Sequence, residues 1–334
     1  MPGRPLLLAA VSLALIAASP AAQPTPVGDP APFWVDPDSA AAVQVRDWEA
    51  QGRSDDARLL RLISERSLAV WPSGDESRVG ADVARAVRGA GAAGATAVLV
   101  AYNIPHRDCG QHSAGGAPDR AAYQRWIGAF ADNIGDARAV VVLEPDAVAQ
   151  MESGCTPGEY HQERQGMLGD AVRRLKQRPG VRVYLDAGNS AWHQDLGLLS
   201  RRLWSSGIAD ADGFAINTAN FQTTGDSLRY GRDLAALLGG KHFVVDTGRN
   251  GNGPATEGPD PWCNPPGRAL GIPPTTATGD PLADAYLWVK RPGDSDGWCR
   301  GGPAAGTWWP DYALGLARAA AWNERRTAVA RRRR

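Results

Sequence analysis

The chain has no excess of either charge, no Cys-x-x-Cys pair and no long apolar run beyond its first twenty residues. Its 334 residues carry 36 basic and 36 acidic side chains. A neutral chain lacks the basic field that gathers nucleic acid or an anionic membrane surface. Four cysteines without C-x-x-C spacing leave zinc-ribbon and thioredoxin-like sites unsupported. Past the N-terminus, no segment reaches the roughly 18 apolar residues of a membrane span. Phe and Tyr are scarce, at five and seven, against twelve Trp. That balance hints at flat rings available for stacking. With 22% charged and 43% hydrophobic residues, the composition is that of a globular protein.

What is present begins with a targeting segment. Arg4, the apolar Leu6–Ala18 and the small residues Ser19 to Ala22 read as a signal peptide over 1–22. Residues 23–32 are rich in Pro and read as a short linker, 33–324 as one catalytic domain and 325–334 as a basic, solvated tail. Export implies a secreted protein with no membrane association after cleavage, in a compartment that permits disulfides. Cys109, Cys155, Cys263 and Cys299 allow three pairings. The sequential one closes loops of 46 and 36 residues, each stabilising by roughly 4 kcal/mol on chain entropy.

Seven short apolar runs punctuate the domain: 68–71, 96–102, 139–143, 181–185, 213–216, 242–245 and 285–289. They lack alternation, as strands buried on both faces do. Helical spacing separates them. Val79, Val83 and Val87 recur every four residues, and Tyr123, Trp126, Ile127, Phe130 and Ile134 share a face behind Asp119 as N-cap. Leu168 to Leu175 and Leu234 to Leu238 mark two more helices. Alternating strand and helix predicts an α/β fold, a distorted parallel (β/α) barrel of about seven strands. Its cleft is expected at the C-terminal strand ends.

Polar residues follow those ends: Asp108, Glu144 and Asp146, Asp186, Asn217, Asp246 and Arg249, then Lys290, Asp294 and Asp296. Singly, such residues are turn formers and helix caps. Together they predict carboxylates converging on one cleft. Clustered carboxylates without clustered His or Cys favour proton transfer over metal chemistry, so neither metal nor cofactor is expected. Glycoside hydrolysis needs one protonated and one ionised carboxyl, and like charges in a crowd keep one protonated. Trp34, Trp192, Trp262 and Trp288 are candidate sugar platforms. Trp34 and Trp262 lie in Pro-, Asp- and Asn-rich loops where burial is not expected.

These residues resemble glycoside hydrolase family 6, the inverting β-1,4-glucanases. The resemblance rests on Phe33-Trp34-Val35-Asp36-Pro37, Tyr102 through Cys109, Leu143-Glu144-Pro145-Asp146, Leu185-Asp186-Ala187-Gly188, Arg249 through Pro254, Trp262-Cys263-Asn264-Pro265 and Trp288 through Gly297. They stand in family order across nearly the whole domain. The resemblance implies Asp146 as general acid and Asp108 as the carboxylate that keeps it protonated and relays the water's proton. It implies Asp296 as the disputed base, Asp186 as a stabiliser of positive charge and Tyr102 as the ring beneath the distorted sugar. Trp34, Asp36, Trp192, Asn217, Asn220, Trp262, Trp288, Lys290 and Asp294 are implied in substrate binding. The family's two disulfides match the sequential pairing.

Three positions depart from the family pattern. Asn189 replaces a usual His, Asp294 a usual Glu, and Ala114 a Ser that helps pass the water's proton. Altered rate or specificity is expected from them. The interval between the last two cysteines is short for a cleft-roofing loop, which implies an open cleft and attack within chains. The expected protein is a monomeric, secreted endo-β-1,4-glucanase. These residues include no separate cellulose-binding module, so soluble or amorphous β-glucan is the expected substrate. A chain-end-acting cellobiohydrolase and a non-catalytic β-glucan-binding protein are the alternatives. The Gly293-Asp294-Ser295-Asp296-Gly297 run fits a serine-esterase elbow, but no His follows His242 to complete a triad. Gly251-Asn252-Gly253 satisfies neither a dinucleotide nor a P-loop pattern.

Overall fold

Among the described residues six parallel strands lie side by side in chain order. The structure is a computed structural model describing residues 32–192, 195–258 and 260–332, with side chains through Asn323. The expected signal peptide and all of the expected linker except Pro32 lie outside the described residues. Helices α1 (Ala40–Ala50), α2 (Ser54–Ser64) and α3 (Glu76–Ala92) precede β1 (Ala97–Ala101). Then follow α4 (Arg120–Ile134), β2 (Ala139–Leu143), α5 (Ala149–Glu152), α6 (His161–Lys176) and β3 (Val181–Asp186). The series ends with α7 (Leu196–Ser205), β4 (Gly213–Ile216), α8 (Thr224–Leu237), β5 (His242–Asp246), β6 (Ala283–Leu287) and α9 (Pro310–Arg332). Adjacent strands pair β1 to β6 in order. All their C-terminal ends therefore open on one edge.

The apolar runs become strands because both of their faces are buried. Leu99, Val141, Val183, Phe214 and Val245 point toward α3, α4, α6, α7 and α8 and join one large core. Val98, Val100, Val142, Tyr184, Ala215, Val244 and Leu287 form a second core on the opposite face, with Trp71 and Tyr102 against it. A third core lies among α1, α2 and α9. Spacing of apolar residues did not single out α1, α2, α7 or α9. In α1 and α9 alanine supplies much of the buried face, and its weak hydrophobic contrast gives little period to read. The last helix continues past the boundary expected at 324, to Arg332. Among the described residues no helix is long and apolar enough to cross a membrane.

Among the described residues six strands form, one fewer than the seven expected. The run 68–71 is reduced to a single bridge, Val70 opposite Leu99. Val70 donates to Val98 and accepts from Val100, while Ala69 donates to Trp288 just past β6. Pro72 follows at once, and its missing N–H and fixed φ stop the ladder. The last strand begins at Ala283, two residues before the expected 285–289.

Asp119 caps α4 as its position suggested, its side chain accepting from the Ala122 N–H at 2.8 Å. Asp119→Ala is expected to cost about 1 kcal/mol of stability. Urea midpoints at unchanged slope measure it, and an unchanged midpoint would show that the cap contributes nothing.

Candidate active site

The loop leaving β1 is built by residues in strained backbone. His106, Asp108 and Cys109 have φ of 56°, 55° and 49°, and beyond β2 Glu144 and Asp146 have 48° and 70°. Left-handed conformations in non-glycine residues cost on the order of 1–2 kcal/mol each, and they persist only where the surroundings over-determine them. Here the surroundings do. Arg107 reaches across its own loop, donating to the Tyr102 carbonyl at 2.7 Å and the Ser113 carbonyl at 2.8 Å. Gly116, at φ 96°, turns the loop back beneath Ile104, whose carbonyl would lie 2.0 Å from any Cβ there. The Ser113 N–H fixes Asp108 Oδ2 at 2.5 Å. Disulfides join Cys109 to Cys155 and Cys263 to Cys299, the sequential pairing.

The carboxylates at the strand ends divide into two kinds. Asp186 is fully buried and Asp146 half-buried beside it, and the Asp146 N–H donates to Asp186 Oδ1 at 3.0 Å. Burial, then the charges of Asp186 and Asp108, push the Asp146 carboxyl well above the usual carboxylate range. Burial also pushes Asp186 up to about 6, raises Asp108 against the pull of the Ser113 N–H, His112, Arg107 and Lys290, and takes Glu144 up to about 7. Asp296 is the opposite case. Although buried, it meets both Nη1 hydrogen bonds of Arg249, at 2.8 and 3.0 Å, the Asn264 N–H at 2.9 Å and Lys290 Nζ at 3.4 Å. Those cations hold its carboxyl below the usual range.

Asp108, Asp146, Asp186, Asp296, Tyr102 and Lys290 thus come together. Lys290 acts electrostatically on Asp108, Asp146 and Asp296 at once. Tyr102 feels Asp146 and Asp108 and carries the Arg107 guanidinium 4.8 Å over its ring. Asp246, also past a strand end, is spent on structure: its oxygens take the N–H groups of Gly248, Ala219, Val289 and Lys290. Among the described residues no group of three His, Cys, Asp or Glu side chains is arranged to hold a metal ion.

The other expected residues spread further. The Trp34 ring, expected to be exposed, is 7% exposed and buried against α3. The Trp34 backbone N–H donates to the Thr96 carbonyl, just before β1 and at the end of the sheet opposite the cleft. Trp288 is 2% exposed, fixed by Nε1 to the Ile272 carbonyl within the core of α2 and α9. Neither ring offers a free face. Asp36 pairs with Arg85 at 2.8 Å. Asn217 spends its side chain on Gln222 and the Asp246 carbonyl, and Asn220 accepts from Phe221 and Gln222. Trp192 is half-buried, and Trp262, 36% exposed, lies 5.9 Å from the His112 ring. Trp71 was not singled out. Its ring stands edge-on to Tyr102 at 5.6 Å, and its Nε1 donates to the Val289 carbonyl. The one available signal was its place at the end of the first apolar run.

The model of glycosyl hydrolases family 6 matches residues 29–320. The chain belongs to that family. It is 45% identical over 292 residues to endoglucanase A of Cellulomonas fimi, covering 87% of this chain and 62% of that one. To endoglucanase 1 of Streptomyces halstedii it is 39% identical, covering 92% of this chain and 94% of that one. The solved endoglucanase Cel6 of Mycobacterium tuberculosis, in complex with methyl-cellobiosyl-4-deoxy-4-thio-β-D-cellobioside, superposes with a TM-score of 0.81 at 42% identity. That match covers 87% of this chain and 98% of the other.

As a family 6 member, the chain absorbs its departures locally. Asn189 Oδ1 takes the Ala191 N–H and its carbonyl takes the Trp192 N–H, so the amide caps the turn that presents Trp192. Asp294 is held by Arg291 at 2.6 Å. It shares a cavity of about 120 Å³ with Asp36, Arg85 and Trp308. Its carboxylate is therefore committed to a neighbour in this chain. Ala114 donates its N–H to the Gln111 carbonyl and has no hydroxyl to offer beside Asp108.

Proposed function

We propose that this chain hydrolyses internal β-1,4-glucosidic bonds with inversion, Asp146 acting as general acid. The observation that carries the reading is the opposed treatment of the carboxyls. Burial and like charges hold the proton on Asp146, while Arg249 and Lys290 hold Asp296 ionised. Asp146 protonates the glycosidic oxygen as the C1–O bond breaks, and water forms the new C1–O bond from the opposite face. Asp186 and Asp296 supply negative charge to the oxocarbenium-like transition state. Asp296 has given its lone pairs to a guanidinium, an ammonium and an amide, which makes it a poor proton acceptor. Asp108, with its carboxyl raised, is the better one, and it receives the water's proton. Tyr102, Trp71, Trp192 and Trp262 supply rings for the glucan.

Several further features belong to the same proposal. The 36-position interval between Cys263 and Cys299 favours an open cleft. The enzyme is read as a secreted monomer acting on cello-oligosaccharides and soluble β-glucan. Its sheet is read as a distorted barrel, with segment 68–71 bridging from β1 toward the end of β6 without forming a strand. The named relatives support glucan as substrate, being endoglucanases, one of them solved with a cello-oligosaccharide analogue.

Viscosity and new reducing ends followed together on carboxymethylcellulose test the reading. A steep viscosity fall with few new ends is expected. Reducing ends without that fall would make the enzyme chain-end-acting. Neither signal, in a folded protein that still binds cello-oligosaccharides, would make it a binding protein.

A further inference from the structure

Arg164 is 1% exposed, in the first turns of α6, and makes five hydrogen bonds. Nη2 donates to the carbonyls of Pro105 and His106, each at 3.0 Å. Nη1 donates to the Ala147 carbonyl and Gln150 Oε1 at 3.3 Å, and to Thr156 Oγ1 at 2.8 Å. Every acceptor is neutral, and among the described residues no carboxylate pairs with it. A buried guanidinium satisfied only by neutral oxygens is an expensive way to fill space. Its acceptors show what it does instead. His106 stands two residues before Asp108, and Ala147 directly follows Asp146. One rigid, planar fork therefore spans the loop that carries one carboxyl and the loop that carries the other.

Glu144 completes the clamp from the other side. Fully buried at the end of β2, it accepts the Asn103 N–H on both oxygens and the Ile104 N–H on Oε2, all at 3.0 Å. Segment 103–106 is thus held by its amide hydrogens on Glu144 and by its carbonyls on Arg164. The left-handed residues of both loops lie next to these contacts, where over-determination is needed to keep them.

We propose that Arg164 is a positioning residue that sets the spacing of Asp108 and Asp146 by gripping both of their loops with one guanidinium. This rests on the reading of Asp146 as acid and Asp108 as its partner. A lysine at 164 keeps the charge but has no fork, so a direct charge effect on the site is held constant while the grip is lost.

The experiment compares wild type with Arg164→Lys by kinetics on carboxymethylcellulose and by ¹³C-carboxyl NMR titration of Asp146, its resonance assigned with Asp146→Asn. Looser loops let Asp108 withdraw, and its charge then raises Asp146 less. The expected result is a kcat lowered about 100-fold with KM little changed, and an Asp146 titration displaced to lower pH. A loss of thermal stability with the Asp146 titration unmoved would mean a purely structural arginine and overturn the proposal. If Arg164→Lys does not fold, Thr156→Val removes the shortest of the five bonds. It is expected to give the same displacement in smaller size, and no displacement there overturns the proposal. The titration needs no turnover. An inactive wild type with a high Asp146 titration would therefore sink the hydrolase reading while leaving this one to be decided by the NMR.

Discussion

Asp146→Asn is expected to lower kcat on β-1,4-glucan by roughly 10³-fold, the scale of a lost general acid, while cello-oligosaccharide binding survives. The amide keeps the shape of the carboxyl but cannot give a proton to the leaving oxygen. The same substitution is expected to stabilise the protein at neutral pH. The folded-state pKa of Asp146 is raised above its unfolded value by burial and by Asp186 and Asp108. The folded chain therefore binds more protons than the unfolded chain between those two values, and stability falls as pH rises through that window. An asparagine removes the penalty. The variant should melt above wild type at pH 7 and match it below about pH 3, under the unfolded aspartate value. Wild-type activity should fall on the alkaline side as Asp146 loses its proton, and that limb should vanish from the variant's residual rate. Near-wild-type kcat in the folded variant would remove Asp146 from the acid's role. A melting temperature lowered at neutral pH would contradict its environment as described. A stability gain that accompanies lost activity is the mark of a residue held in an unfavourable state for its chemistry.

Much of this site was legible in the sequence, for a physical reason. Parallel strands place their C-terminal ends on one edge, so a polar residue after an apolar run is already located. Asp108, Asp146, Asp186 and Asp296 were found in that way, and their order matched a known family. Depth and direction were not legible. Trp34 looked exposed because its neighbours are polar, yet the chain pairs Trp34 with Thr96 and turns the ring into α3. Trp288 follows β6 by one residue but faces the helices, not the cleft. Arg164 lies on a helix between Glu163 and Gln165 and reads as surface, because three of its five acceptors are backbone carbonyls, up to 59 positions away. Backbone acceptors leave no trace in side-chain identity. The seventh strand failed for a local reason, since Pro72 ended it after one bridge.

Arg249→Met should be the most destabilising single change near the site that leaves every carboxylate in place. Arg249 is 1% exposed, doubly bonded to Asp296, bonded through Nη2 to the Ala219 carbonyl at 2.6 Å, and stacked 4.4 Å over Phe221. Methionine can fill the space against Phe221 but strands a buried carboxylate with only Lys290 and the Asn264 N–H. Breaking a buried pair from one side costs about 3–5 kcal/mol. For a chain of this size that corresponds to a melting temperature lower by about 10 °C. The pH dependence follows from the sign of the Asp296 shift. In wild type its folded pKa is depressed, so the stabilisation is present above the unfolded value near 4 and lost as pH falls through the folded one. In the variant the same carboxyl is buried with less compensation. Its folded pKa rises, and charging it costs stability as pH climbs. The gap in melting temperature between wild type and Arg249→Met should therefore be widest at neutral pH and narrow toward pH 3. Adding Asp296→Asn should recover much of the loss, because neither charge is then buried without a partner. A constant gap across pH, or a double variant no more stable than the single, would show that Arg249 acts through packing alone. It would also free Asp296 to be reconsidered as the base, because its low proton affinity is what assigns that role to Asp108.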